Sequence, residues 1–122
     1  MDASVSADVW GGVPVLHVAG EIDMTTAPGV RDELLRWLET AVPAAVLDLT
    51  GVVFLASNGL ALLAEAAQHA DERGVALAIA AGQRAVLMPL DITGMHEVFT
   101  VRPDVDHAVR ALRGLSPGPI GG

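Results

Sequence analysis

The residue best placed for chemistry in this chain is Ser57. It lies in Leu55-Ala56-Ser57-Asn58-Gly59-Leu60, a polar triplet where a core would keep apolar side chains. A serine between a buried strand and a helix suggests a nucleophile elbow. The strained elbow, however, needs glycine two residues before the serine, and Leu55 stands there. A base is also missing. His69 follows Ser57 on the same expected helix, about 18 Å away at about 1.5 Å per residue, and His17, His96 and His107 are scattered. The histidines form no H-x-x-x-H or H-x-E pair, so a zinc site is not expected, and His17 reads as a satisfied or edge histidine in an apolar strand. Gly11-Gly12 precedes a strand rather than a helix, and the chain has no lysine, so no phosphate-cradling loop is present. Glu21 and Asp23, two apart in an expected loop, suit acid–base work less than capping of the next helix or contact with a partner. No cofactor and no catalysis are expected.

Two readings of Ser57 remain. As an N-cap, like Asn58 beside it, it would accept from the orphan N–H groups of the first helical turn. As a phosphoacceptor, it would place a charge of about −1.5 to −2 at a helix N-terminus, where the dipole and free N–H groups favour anions. A partner docked over that surface would meet a desolvated dianion and be released.

The elements that must hold this residue follow from periodicity. Val5 to Trp10 and Val13 to Ala19 read as strands joined at Gly11-Gly12, with Pro14 at an edge or strand-start position. Gly20 to Asp23 reads as a loop, and Thr25 or Thr26 as the cap of a helix running to about Glu39. That helix has Pro28 in its first turn and buries Val30, Leu34, Leu35 and Leu38. Ala44 to Leu49 is nearly continuous in apolar residues and reads as a strand buried on both faces. The helix from Ser57 is expected to bury Leu60, Leu63, Ala64 and Ala67 and to stop at Arg73-Gly74. Val75 to Ala81 is a further strand, Arg84 to Ile92 a short helix ended by Thr93-Gly94, and Val98 to Val101 a last short strand. A terminal helix spans about Asp106 to Leu112, and the Gly/Pro-rich residues 114–122 read as a flexible tail after a domain of residues 1–113. The pattern predicts an α/β fold. It is a mixed, mostly parallel sheet of four to five strands with an antiparallel N-terminal hairpin and about four helices, packed mainly on one face.

Composition narrows the function classes. A 52% hydrophobic chain of 122 residues supports one folded domain. A formal net charge of −8 repels phosphates and anionic lipid, which argues against nucleic acid and membrane surfaces as partners. Cysteine is absent, which removes disulfides and thiol chemistry. No apolar run reaches the roughly 18 residues of a membrane span, and the N-terminus lacks the basic start of a secretory signal, so a cytoplasmic location is expected.

Three segments resemble one family. Val15 to Thr26, VLHVAGEIDMTT, is similar to a strand followed by G-E-[LI]-D. Val53 to Leu60, VFLASNGL, is similar to F-[ILM]-D-S-[ST]-G-L. Leu90 to Met95, LDITGM, is similar to L-x-x-[ST]-G-[LM]. Together, in this order over about Val5 to Leu112, they resemble the anti-sigma-factor antagonists of the STAS domain family. The resemblance implies partner switching. Such an antagonist binds an anti-sigma factor that is also a serine kinase and so frees the sigma factor. The kinase phosphorylates the antagonist on the serine that Ser57 matches, and a serine phosphatase reverses this. Asp23, Thr25, Ser57, Asn58, Gly59 and Leu60 would then face the partner. Two positions depart from the pattern: Ala56 stands where the family has aspartate, and Asn58 where it has serine or threonine. STAS domains also serve as interaction subunits of transporters and sensory complexes without such a switch, and that is the alternative role.

Overall fold

In the computed structural model, which describes residues 2–41 and 43–115, five strands form one sheet in the order β1-β2-β3-β4-β5. The strands are β1 (Ala3–Trp10), β2 (Val13–Ile22), β3 (Ala44–Leu55), β4 (Ala76–Ala80) and β5 (Thr100–Arg102). The helices are α1 (Ala27–Leu38), α2 (Ser57–Glu72), α3 (Arg84–Thr93) and α4 (Val105–Leu115), with a 3-10 turn at Met95–Glu97. β1 and β2 pair antiparallel and the other neighbours parallel, the mixed sheet that the pattern predicts.

Side chains alternate across the strands and build two cores. Leu16, Val18, Leu47, Leu49 and Ile79 point to the face that α1, α2 and α3 cover. Val15, Val46, Ala78 and Ala80 point to the other face, where α4 packs Val105, Ala108, Val109 and Leu112 on them. Three helices therefore lie on one face and one on the other. β3 is buried on both sides over Ala45–Leu49, as its continuous apolar run requires. α1 buries Ala27, Val30, Leu34 and Leu38, each about one turn from the next. Each large side chain of this kind contributes about 1.5–3 kcal/mol by leaving water.

Several boundaries differ from the sequence pattern. β2 continues through Gly20 to Ile22, where a loop is expected, because Gly20 adopts φ +98° in an irregular register. A side chain there would collide with the Asp2 carbonyl. β3 runs six residues past Leu49 to Leu55. Its buried positions break at Thr50 and Gly51, which hides the continuation from a hydropathy reading. α2 buries Gly59, Leu62, Leu63, Ala66 and Ala70, whereas Ala64 is exposed and Leu60 and Ala67 are half-buried. α4 extends to Leu115, so the expected tail loses its first two residues to a helix, and residues 116–122 lie outside the described residues.

Pro14 sits in β2 opposite Val9 of β1, one residue before the β2–β3 ladder begins at Val15–Val46, so its missing N–H leaves no rung unfilled. On the outer strand, the Val9 N–H is taken by the Asp8 carboxylate at 2.7 Å.

Candidate functional site

Two turns stand side by side at the C-terminal end of the central parallel strands. One leads from β2 into α1 and the other from β3 into α2. A hydrogen bond joins them, from the Ala56 N–H to the Ile22 carbonyl at 2.9 Å.

The first turn is tied together by its own side chains. The Asp23 carboxylate accepts the N–H groups of Thr25 (2.9 Å) and Thr26 (3.0 Å). The Thr26 hydroxyl donates to the Glu21 carbonyl at 2.6 Å and accepts from the Asp23 N–H at 3.0 Å. The bond from the Thr26 N–H, with that from Thr25, holds the Asp23 carboxyl below the usual carboxylate range, against the smaller effect of desolvation. Thr26 occupies the cap position of α1 but makes no capping bond with its side chain, and Asp23 does that work instead. Asp23 is half-buried and Thr25 is exposed.

The second turn is open. Ala56 is the N-cap of α2, in extended conformation, and no side chain caps the helix. Ser57 is the first helical residue rather than the cap, because Ala56 is still held against β2 through Ile22. This corrects the N-cap reading of both Ser57 and Asn58. The first intrahelical bonds run from Gly59 N (2.9 Å) and Leu60 N (3.1 Å) to the Ala56 carbonyl. Ser57 and Asn58 are exposed, Leu60 is half-buried, and Gly59 is buried. Gly59 is a packing residue: a Cβ there would press on Leu55 and come within 2.9 Å of Ile22 Cγ2. Absence of that Cβ lets α2 lie close to the ends of β2 and β3.

Because both helices follow parallel strands, they run alongside each other and leave a groove of about 250 Å³ between them. Met24, Pro28, Asn58 and Ala61 line it. Further along, Arg31 spans to Glu65 of α2, with Nε 2.7 Å from Oε1 and Nη2 on Oε2. That contact holds the Glu65 carboxyl below its ordinary value. Around the mouth of the groove Met24 is 76% exposed, and on the end of β3 Val53 and Phe54 are 66% and 50% exposed.

The histidines sit with carboxylates of their own. His17 Nδ1 lies 2.6 Å from Asp48 Oδ2, and Nε2 lies 3.5 Å from Asp8 Oδ2, a bridge across three strands. Its bond to Asp48 raises the His17 pKa against desolvation. His96 neighbours Asp91 and Glu97, His107 is 2.7 Å from Asp104, and His69 is 3.7 Å from Glu39. Among the described residues no three His, Asp or Glu side chains come together as a metal site. No helix of the described residues is long and apolar enough to cross a membrane.

One residue near the site carries no sequence signal. Gln83, between β4 and α3, reaches back to the carbonyls of β3 across more than thirty positions of chain. Hydropathy and turn propensity are local, and neither reports such a bond.

Comparison with known proteins converges on this geometry. The STAS domain profile matches residues 4–108. The anti-sigma-F factor antagonist RsfB of Mycobacterium tuberculosis is 29% identical over 103 residues, covering 84% of either chain. The crystal structure of an anti-sigma factor antagonist from Mycobacterium paratuberculosis superposes with a TM-score of 0.81 at 33% identity, covering 92% of this chain and 95% of that one. The anti-sigma factor antagonist SpoIIAA in its unphosphorylated form shares the fold with a TM-score of 0.71 at 15% identity, covering 91% and 97%. With three sequence segments, the strand order and these relatives in agreement over nearly the whole described chain, the protein belongs to the STAS domain family.

Proposed function

We propose that this protein is an anti-sigma-factor antagonist. It binds an anti-sigma factor of the serine-kinase type and so releases a sigma factor. Phosphorylation of Ser57 ends the complex, and a serine phosphatase restores it. Asp23, Thr25, Ser57, Asn58 and Leu60 form the docking surface, with Gly59 setting its shape from beneath. The observation that carries this reading is the exposed Ser57 hydroxyl on the first residue of α2, in a segment that matches the family's phosphoacceptor turn. The mycobacterial relatives named as anti-sigma factor antagonists support the same role. No catalytic role is assigned to the chain.

Calorimetry with the cognate anti-sigma factor tests it. Ser57→Ala keeps the wild-type affinity, whereas Ser57→Glu loses at least about tenfold, or about 1.4 kcal/mol. Equal affinities for the two variants would refute the switch. Incubation with the partner and ATP adds about 80 Da at Ser57, read by intact mass and fragmentation.

A second reading rests on Ala56 and Asn58, which stand where the family has aspartate and serine or threonine. In that reading the chain is an interaction subunit of a transporter or sensory complex and is never phosphorylated. Binding without any mass change selects it.

A further inference from the structure

β3 continues well past the strand beside it. Its last pair with β4 is Asp48–Ala80, and its remaining residues, up to Leu55, have β2 on one flank only. On the other flank their carbonyls meet a side chain instead of a strand. Gln83 Nε2 donates to the Leu49 and Val52 carbonyls, each at 2.7 Å, with the Thr50 carbonyl at 3.3 Å. Its Oε1 accepts the Gly82 N–H at 3.1 Å. These partners fix the orientation of the amide, since the reverse would set its oxygen against three acceptors. The Gln83 backbone is fixed too, as its own carbonyl accepts the N–H groups of Val86 (3.1 Å) and Leu87 (3.0 Å) at the start of α3. The arm that delivers Ser57 is therefore held by a strand on one side and by a single amide on the other.

We propose that Gln83 is a positioning residue for the Ser57 surface, fixing the overhanging end of β3 and through it the open first turn of α2. The proposal rests on the reading that this surface receives the anti-sigma factor. A strand end paired on one flank only is looser than one paired on both, so the two bonds from Gln83 on the flank that β4 leaves open limit how far Val52 to Leu55, and the turn beyond them, depart from one position.

The isosteric Gln83→Glu separates donation from size. It puts a carboxylate against the same carbonyls and opens the clamp. Gln83→Lys keeps a donor at the site. Amide hydrogen exchange of residues 53–60 is expected to speed up about tenfold in Gln83→Glu, with the β1–β2 hairpin and α4 unchanged, and to stay within about threefold of wild type in Gln83→Lys. Affinity for the anti-sigma factor falls about threefold or more in Gln83→Glu and recovers in Gln83→Lys. Unchanged exchange at residues 53–60 in Gln83→Glu overturns the proposal. So does an increase spread evenly along the chain, which marks general destabilisation, or a loss of affinity that Gln83→Lys does not restore. The exchange measurement needs no partner. A wild-type chain that binds no anti-sigma factor therefore defeats the functional reading, while the exchange result still decides the clamp.

Discussion

The turns after β2 and after β3 solve the same problem in opposite ways. Each must end a buried parallel strand and start a helix, whose first N–H groups need acceptors. The β2–α1 turn supplies them internally from Asp23, whose carboxylate accepts the Thr25 and Thr26 N–H groups and whose carbonyl accepts that of Ala27. The β3–α2 turn places Ala56 at the cap and supplies no side chain. The first turn is built for rigidity. The second leaves the Ser57 and Asn58 N–H groups at an exposed helix end, where a phosphate or a partner's acceptor finds donors ready. A self-tied turn and an open one are thus neighbours that one backbone hydrogen bond connects.

That contrast can be broken most forcefully from below. Gly59→Val drives a branched side chain into Leu55 and Ile22 and is expected to cost about 2–3 kcal/mol in chemical denaturation; a cost under about 0.5 kcal/mol would show that α2 can shift away freely. Asp23→Ala removes the acceptor of two N–H groups and is expected to cost about 1–2 kcal/mol. If Asp23→Ala proves neutral, the first turn is no more self-contained than the second. The contrast is sharpened by Ala56→Asp, which gives the open turn a cap and is expected to add about 0.5–1 kcal/mol, seen as a rise in thermal midpoint. A control lies outside both turns. His17 has a raised pKa in the fold because Asp48 and Asp8 favour its charged form. Its contribution is therefore full below the ordinary histidine value of about 6.5 and is lost as pH rises through the raised value. The thermal midpoint should show a small fall across that window, and His17→Asn should flatten it. A fall that persists in the variant would assign the titration elsewhere.

Much of this molecule could be read from residue order. The hairpin at Gly11-Gly12, the β–α alternation and the continuous run Ala45–Leu49 predict the sheet and its parallel centre. The polar triplet between Leu55 and Leu60 marks the turn that opens α2, and Ser57 in it is exposed. What escaped the sequence depends on non-local geometry. The extension of β3 past Thr50-Gly51 depends on pairing with β2 across an irregular register. The identity of the α2 cap depends on Ile22, thirty-odd residues earlier, which keeps Ala56 extended. Asp23 was legible as a capping residue or a partner contact, and the structure gives the capping bonds. Gly59 looked like part of the contact surface because the motif includes it, yet its lack of a side chain serves the packing of α2.

The outermost strand has a further consequence. β1 is eight residues long and lies at one margin of the sheet, the arrangement through which β-proteins recruit one another into fibres. Asp8 already occupies the Val9 donor with its own carboxylate, so an incoming chain would have to evict a negative charge to gain that rung. At the opposite margin β5 offers only three residues. A protein with Phe54 and Met24 exposed thus offers a further strand poor footing at both flanks of its sheet.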